Sequence, residues 1–152
     1  MTLLRGMGAL LLPICGWLAG NAVEEKDIGH LTALEQTIRL LQRLRQEIQF
    51  RRADLQQLFC RLRQEETFSL SGDSFRTTPA PAALSLPEKQ CFAECMSGLG
   101  KSTAEQECQR LDYYIARFAE GLQQAQQSAQ ARAGLPRRLG LAAGAVLALM
   151  IL

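Results

Sequence analysis

Residues 31–62, LTALEQTIRLLQRLRQEIQFRRADLQQLFCRL, decide the fold class of this chain. Large apolar residues recur along the stretch in alternating steps of three and four, and Arg45 and Arg52 occupy the two interrupted positions. This spacing places one broad apolar stripe along an α-helix and suits a small bundle better than a narrow coiled coil. We therefore predict an amphipathic helix or helix pair whose inner stripe comprises Leu31, Leu34, Ile38, Leu41, Ile48, Leu55, Phe59 and Leu62, widened by Leu40, Leu44 and Leu58.

The polar side of the same stretch carries more arginines than acids. A solvated helix face is the ordinary explanation for such a run of charge, and a docking patch for an acidic partner is the alternative. On charge and helix position alone, the candidate partner-contact residues are Arg39, Arg43, Glu47, Arg51 and Arg52.

The segment after this stretch changes character. Residues 67–86, TFSLSGDSFRTTPAPAALSL, are rich in Ser, Thr, Gly and Pro, which predicts a long surface loop. A further helix is predicted from Ser85 to Gly100, because Ser85 and Glu88 have the spacing of a capping box and Pro87 falls in the first turn. Its left-handed cap is expected at one of two glycines, Gly98 or Gly100.

A second long helix is predicted behind Ser102 and Glu105, which repeat the capping-box spacing. Its far end, QQAQQSAQA, has Ala and Gln in place of large apolar residues, so it can bury little and is expected to form a stalk. Gly134 and Pro136 indicate a break beyond it. The apolar residues that recur in fours and threes are Ala104, Cys108, Leu111, Ile115, Phe118, Leu122, Ala125 and Ala129.

Both chain ends are apolar segments. Residues 6–23, GMGALLLPICGWLAGNAV, lack charge and would span about 27 Å as a helix, close to the thickness of a bilayer core. Residues 139–152, LGLAAGAVLALMIL, would reach only about 21 Å, so a crossing needs local thinning or snorkelling of the preceding arginines. The predicted organisation is a membrane helix in 1–23, a helical domain in 24–133 and a short membrane segment in 134–152.

Small residues and flanking charges refine this organisation. Gly16 and Gly20 in the first segment, and Gly140 and Gly144 in the second, have the spacing that lets membrane helices pack closely. Basic residues flank the inner ends of both segments, and the positive-inside bias then predicts a cytoplasmic central domain.

A cleavable signal peptide is the alternative explanation of the first segment. Gly20-Asn21-Ala22 satisfies the small-x-small rule for cleavage, which would remove residues 1–22. The chain would then be a secreted or envelope-anchored helical protein whose four remaining cysteines can form two disulfides.

Composition narrows the function classes. With 152 residues and 47% apolar content the chain has room for one modest domain and is too apolar to be disordered. A net charge of +2 supports neither nucleic-acid binding nor an acidic tail. No acid–base pair or nucleophile pattern stands out, and the GLGKS sequence at 98–102 lacks the first glycine of a phosphate-binding loop. We expect no enzymatic activity, cofactor or small-molecule substrate.

The cysteines leave a metal-binding regulator as a third class. Cys91, Cys95 and Cys108 are its candidate ligands, but the first two lie inside a predicted helix rather than in the tight C-x2-C knuckle of zinc sites. Buried reduced thiols are the preferred interpretation. His30, the one histidine, lies near the predicted start of the first long helix, and we expect a surface or capping role for it.

The order and spacing of several segments resemble the stage III sporulation protein AB family of endospore-forming bacteria. The similar segments are LLQRLRQEIQF at 40–50, LSLPEK at 84–89, LGKST at 99–103, the long helix through Tyr114, and RRLGLAAG at 137–144 before the apolar tail. The chain departs from the family pattern at the loop 67–86, where the family is usually helical.

The resemblance implies a non-enzymatic platform component of the channel between mother cell and forespore, which is similar in parts to type II and type III secretion machines. Its implied location is the mother-cell membrane around the forespore, with the helical domain in the cytoplasm. The implied partners are a cytoplasmic secretion-type ATPase, other membrane subunits of the channel, and the lipid bilayer. No catalytic residue or cofactor is implied.

Overall fold

The computed structural model describes residues 2–51, 54–65 and 70–132, together with positions 138, 139, 142 and 146. Regular secondary structure in these ranges is entirely helical, which confirms the predicted all-α class. The elements are α1 (Thr2–Arg51), α2 (Leu55–Gln64), a 3-10 turn (Phe75–Thr77), α3 (Leu86–Ser97) and α4 (Ala104–Arg132).

The chain divides into two compact units. One comprises His30–Gln124, and the other comprises Met1–Gly29 and Ala125–Leu152. The buried apolar core belongs to the first of these, which we call the helical domain. Its members are Ala33, Leu34, Leu40, Leu41, Leu44, Ile48, Leu58, Phe59, Leu62, Phe75, Leu84, Cys91, Phe92, Cys95, Met96, Leu99, Leu111 and Phe118.

The stretch 31–62 is predicted to form one amphipathic helix or a helix pair, and it forms a helix pair. It supplies the second half of α1 and nearly all of α2. The start of α2 is fixed by Asp54, whose carboxylate accepts a hydrogen bond from the Gln56 backbone N–H at 3.4 Å. Most of the predicted stripe is buried, whereas Leu31, Ile38 and Leu55 lie at its half-buried margins.

The predicted surface loop packs onto the domain. Phe75 and Leu84 are buried, and the Phe75 ring meets Phe59 of α2 edge-on with centroids 5.0 Å apart. Arg76 donates a hydrogen bond to the Leu99 carbonyl at 3.1 Å, which ties the 3-10 turn to the connection after α3. Positions 67–69 of the predicted loop lie outside the described residues.

The predicted start of α3 is confirmed, and its predicted end is corrected. Glu88 accepts the Ser85 backbone N–H at 2.7 Å, which is the carboxylate half of the capping box. The helix stops at Ser97 rather than Gly100, because Arg110 of α4 lies against Gly98 and donates to the Cys95 carbonyl at 3.1 Å. Of the two glycines expected to take the left-handed cap, Gly100 has the positive φ, at 78°.

The start of α4 is held by contacts other than the predicted pair of Ser102 and Glu105. The Thr103 hydroxyl lies 3.5 Å from the Gln106 backbone N–H, and the Thr103 carbonyl accepts the N–H of Glu107 at 2.9 Å. Glu107, rather than Glu105, reaches back to the Ser102 N–H at 3.2 Å. The buried Glu107 carboxylate also accepts from Arg110, so the start of α4 is held from inside the domain.

The first predicted membrane segment, residues 1–23, falls within the beginning of α1 from Thr2 onward. Within the described residues, no helix is at once long enough and apolar enough to cross a bilayer. The backbone at Gly16 and Gly20 is part of α1, whereas Gly140 and Gly144 lie outside the described residues, as does most of the predicted segment 134–152.

Candidate functional site

The solvent-exposed face of α1 presents two arginines, a glutamine and a phenylalanine. Arg39, Arg43, Gln46 and Phe50 are exposed and follow one another at intervals of four, three and four residues. At 100° per residue these positions fall within about 60° of the helix circumference. The buried Leu41, Leu44 and Ile48 project from the opposite side. We call these four exposed residues the α1 stripe.

The two arginines of the α1 stripe differ in their partners. Among the described residues, Arg39 has no ion-pair or hydrogen-bond partner and its side chain is exposed. The Arg43 guanidinium lies 3.7 Å from a carboxylate oxygen of Glu47, one turn further along α1. It lies at the same distance from Glu65 at the end of α2. At this length, and with nearly half of the Arg43 side chain exposed, such pairs are weak, on the order of 0–1 kcal/mol each.

The other predicted contact residues are placed differently. Glu47 is only 9% exposed and lies 3.7 Å from the Arg43 guanidinium, so its own contact with a partner stays a prediction. Arg51 ends α1, and nothing can be said of its side chain. Arg52 lies outside the described residues. Of the five predicted contacts, Arg39 and Arg43 are therefore the two that the structure presents at the surface.

Arg45 shows that an arginine in a basic run is not always free to bind a partner protein. It occupies an interrupted position in the apolar ladder, and its Nε lies 2.5 Å from a carboxylate oxygen of Asp112 on α4. The neighbouring Cys108 thiol approaches the Arg45 carbonyl at 3.9 Å. Arg45 therefore joins α1 to α4 within the domain instead of serving a partner.

The structure brings together one acid–base pair that sequence reasoning missed. His30 Nε2 lies 2.7 Å from Glu88 Oε2, which also accepts the Ser85 N–H. Partial burial acts to raise the pKa of Glu88, but hydrogen bonds from His30 and Ser85 outweigh it and hold the pKa below its ordinary value. The capping-box spacing revealed Glu88, whereas its partner is 58 residues away and no local pattern could reveal it.

A protonated thiol, that of Cys91, lies on the same groove as Glu88. Cys91 borders an open groove of about 380 Å³ that Glu88, Arg117 and Glu120 also line. Burial raises the pKa of the Cys91 thiol, so it is protonated at neutral pH. The arrangement suits a structural clamp between α1 and the start of α3.

The remaining cysteines do not converge on a ligand set. All five are free thiols, and burial raises the pKa of Cys95 to about 12. In the described part of the chain, no three His, Cys, Asp or Glu side chains lie close enough together to hold a metal ion. The GLGKS sequence forms the connection from α3 to α4, where Gly100 turns the chain and Ser102 donates to Glu107.

The chain is similar to a known protein family. The family model described as stage III sporulation protein AB matches residues 5–78 and 70–152, which together cover nearly the whole chain. No curated protein and no solved structure matches.

Proposed function

The chain belongs to the stage III sporulation protein AB family, whose role is in sporulation, and from this membership we propose that it is a non-enzymatic membrane platform subunit. In this proposal the helical domain docks a cytoplasmic secretion-type ATPase and the other membrane subunits of the channel between mother cell and forespore. The chain acts by position and contact, without substrate or cofactor.

The observation that carries the docking proposal is the α1 stripe. Interfaces are formed by side chains that are exposed before the partner arrives, and Arg39 is exposed and unpaired among the described residues. Arg43 keeps only long ion pairs, so a partner carboxylate can replace Glu65 at small cost. Two arginines one helical turn apart favour a partner with an acidic surface.

Exposed apolar side chains support the membrane part of the proposal. Ile14 and Leu18 of α1 are 50% and 55% exposed, and Leu139 and Val146 near the other end are each 61% exposed. Large apolar side chains left uncovered in the two segments 1–23 and 134–152 are suited to lipid. We place the chain in the mother-cell membrane around the forespore, with the helical domain on the cytoplasmic side.

The docking proposal is tested by charge reversal. In a pull-down with the purified secretion-type ATPase, the double variant Arg39→Glu/Arg43→Glu should bind at least about tenfold more weakly, because it sets like charges against an acidic partner. Arg117→Glu reverses a single charge on an exposed residue of α4 and should bind like the wild type.

Circular dichroism should show unchanged helicity in both proteins, since none of the altered side chains is buried. Equal binding by the double variant and the wild type would remove the α1 stripe from the proposal. Failure of the wild type to bind the ATPase would remove the docking function itself.

A further inference from the structure

We infer that Phe50 is the apolar anchor of the docking surface and that its partner presents an apolar pocket with a carboxylate rim. The inference rests on the proposed docking function and deepens it by naming the chemistry of the partner surface. It adds to the predicted contacts a residue that the charge pattern did not single out.

Phe50 is the most exposed large apolar residue described in the chain. It is 77% exposed at the end of α1, although a phenylalanine is usually among the residues that a folded domain covers. Leu86 and Tyr113 are the other two large apolar residues of the helical domain with this character, at 73% and 59% exposure. They lie on α3 and α4.

Phe50 differs from Leu86 and Tyr113 because it shares a helix face with two exposed arginines. Phe50 follows Arg43 by seven residues, which places the two side chains about 20° apart around the helix and about 10 Å apart along it. Arg39 lies on the same side, one turn before Arg43. One continuous partner surface roughly 16 Å long can therefore contact both arginines and the ring.

The two kinds of side chain contribute differently to binding. Exposed ion pairs add little affinity, so Arg39 and Arg43 serve mainly to select and orient an acidic partner. An aromatic ring buries 150–250 Å² on its own, and such residues are enriched among those that dominate binding energy. Affinity should accordingly depend on Phe50, and salt sensitivity on the arginines.

The order of charges along α1 fixes the direction of the partner. Glu35 is exposed one turn before Arg39, so an acid precedes the α1 stripe and the ring of Phe50 ends it. Carboxylates are expected opposite Arg39 and Arg43 only, with the apolar pocket beyond them. This pattern favours a folded protein surface over a lipid headgroup layer, which carries no such order.

The experiment measures the affinity of the full-length protein, held in detergent micelles, for the purified secretion-type ATPase at low and high salt. Phe50→Ala should weaken binding at least about tenfold at both salt concentrations, because the lost contact is apolar. Phe50→Leu should retain most of the affinity. Arg39→Glu should weaken binding at low salt and lose much of that effect at high salt.

Tyr113→Ala is the matched control, because it removes another exposed aromatic ring and leaves the α1 stripe intact. Benzoylphenylalanine placed at position 50 should cross-link to an ATPase peptide that carries large apolar residues beside Asp or Glu. Folding is checked by the thermal melt, which Phe50→Ala should not shift, since the side chain is mostly exposed.

The outcomes separate this inference from the docking function. Wild-type affinity in Phe50→Ala, with Arg39→Glu still impaired, overturns the anchor and leaves the docking function standing. Loss of binding in Tyr113→Ala as well as Phe50→Ala overturns the anchor too. If Phe50→Ala leaves ATPase binding unchanged and instead alters self-association, Phe50 is assigned to a contact with a second copy. If it instead alters binding to anionic vesicles, Phe50 contacts lipid. Either result refutes the proposed pocket on the ATPase.

Discussion

At the scale of single residues, arginines of one basic run have separate roles. Arg45 is committed to Asp112 at 2.5 Å, Arg43 is shared between two carboxylates at 3.7 Å, and Arg39 is unpaired among the described residues. Because ion-pair strength falls with distance and solvent exposure, only the latter two remain available to a partner. Charge reversal at Arg39 or Arg43 should therefore affect partner binding, whereas charge reversal at Arg45 should loosen the contact between α1 and α4.

The His30–Glu88 contact predicts how stability depends on pH. The folded protein holds the pKa of Glu88 below its ordinary value of 4.5. The unfolded chain therefore takes up a proton at Glu88 before the folded protein does, so the stabilisation is complete above 4.5 and disappears as the pH falls through the lower folded value. Urea unfolding of the wild type should show this decline.

Glu88→Gln should lower the free energy of unfolding at pH 7 by about 1 kcal/mol, because it removes the charge from a capping carboxylate. The difference between variant and wild type should shrink toward zero in acid. Glu105→Gln, at an exposed position of α4, is the control and should leave the acid limb unchanged. Parallel pH curves for Glu88→Gln and the wild type would contradict this role.

At the scale of elements, the end of α3 is decided by a contact from another helix. Arg110 of α4 caps the carbonyl end of α3, and Glu107 holds the connection before α4. The chain then needs one residue with positive φ to turn between the two helices. Gly100 supplies it, and a Cβ at this position would lie 2.6 Å from Leu55 Cδ1 of α2.

Gly100→Ala should therefore destabilise the domain. The left-handed conformation alone costs a non-glycine residue roughly 1–2 kcal/mol, and Leu55 must move aside as well. Gly29→Ala is the matched control, because Gly29 lies inside α1 with nothing near its absent side chain, and alanine there should stabilise by up to about 1 kcal/mol. Opposite shifts in the thermal midpoint are expected, and equal shifts would contradict the assigned turn.

At the scale of the whole molecule, the two units differ in what they leave uncovered. The helical domain buries its core and exposes mainly polar residues, whereas Ile14, Leu18, Leu139 and Val146 of the other unit are exposed. This division matches the proposed roles of a docking domain and membrane segments. Two cysteines of the helical domain provide a probe of its placement, since Cys60 is exposed on α2 and Cys95 is fully buried on α3.

A membrane-impermeant maleimide should report the proposed topology. In a Cys15→Ser/Cys108→Ser background, Cys60 should remain unlabelled in intact cells and react promptly once the membrane is opened, because the helical domain is placed in the cytoplasm. Cys95 should react at least about 100-fold more slowly until the protein is denatured, since it is buried with a pKa near 12. Labelling of Cys60 in intact cells would support the secreted alternative, which intact mass would confirm by the loss of residues 1–22.

The amino-acid sequence determined the parts of this protein that depend on neighbours along the chain. The apolar ladder of 31–62, the cap at Ser85 and the period behind Ala104 predicted helices that the structure contains. Each of these signals is a spacing of three or four residues, which is the range of the helical hydrogen bond. The order of its segments likewise indicated the family.

Tertiary structure alone decided which residues meet across the domain. Packing of the helices brought His30 into contact with Glu88 and Arg45 into contact with Asp112. It also buried Glu47, and Phe75 of the predicted surface loop. It left Phe50 outside, although most large apolar residues elsewhere in the stretch 31–62 are buried. Such pairings follow from the relative rotation and contact of whole helices, a long-range property that periodicity along one helix does not contain.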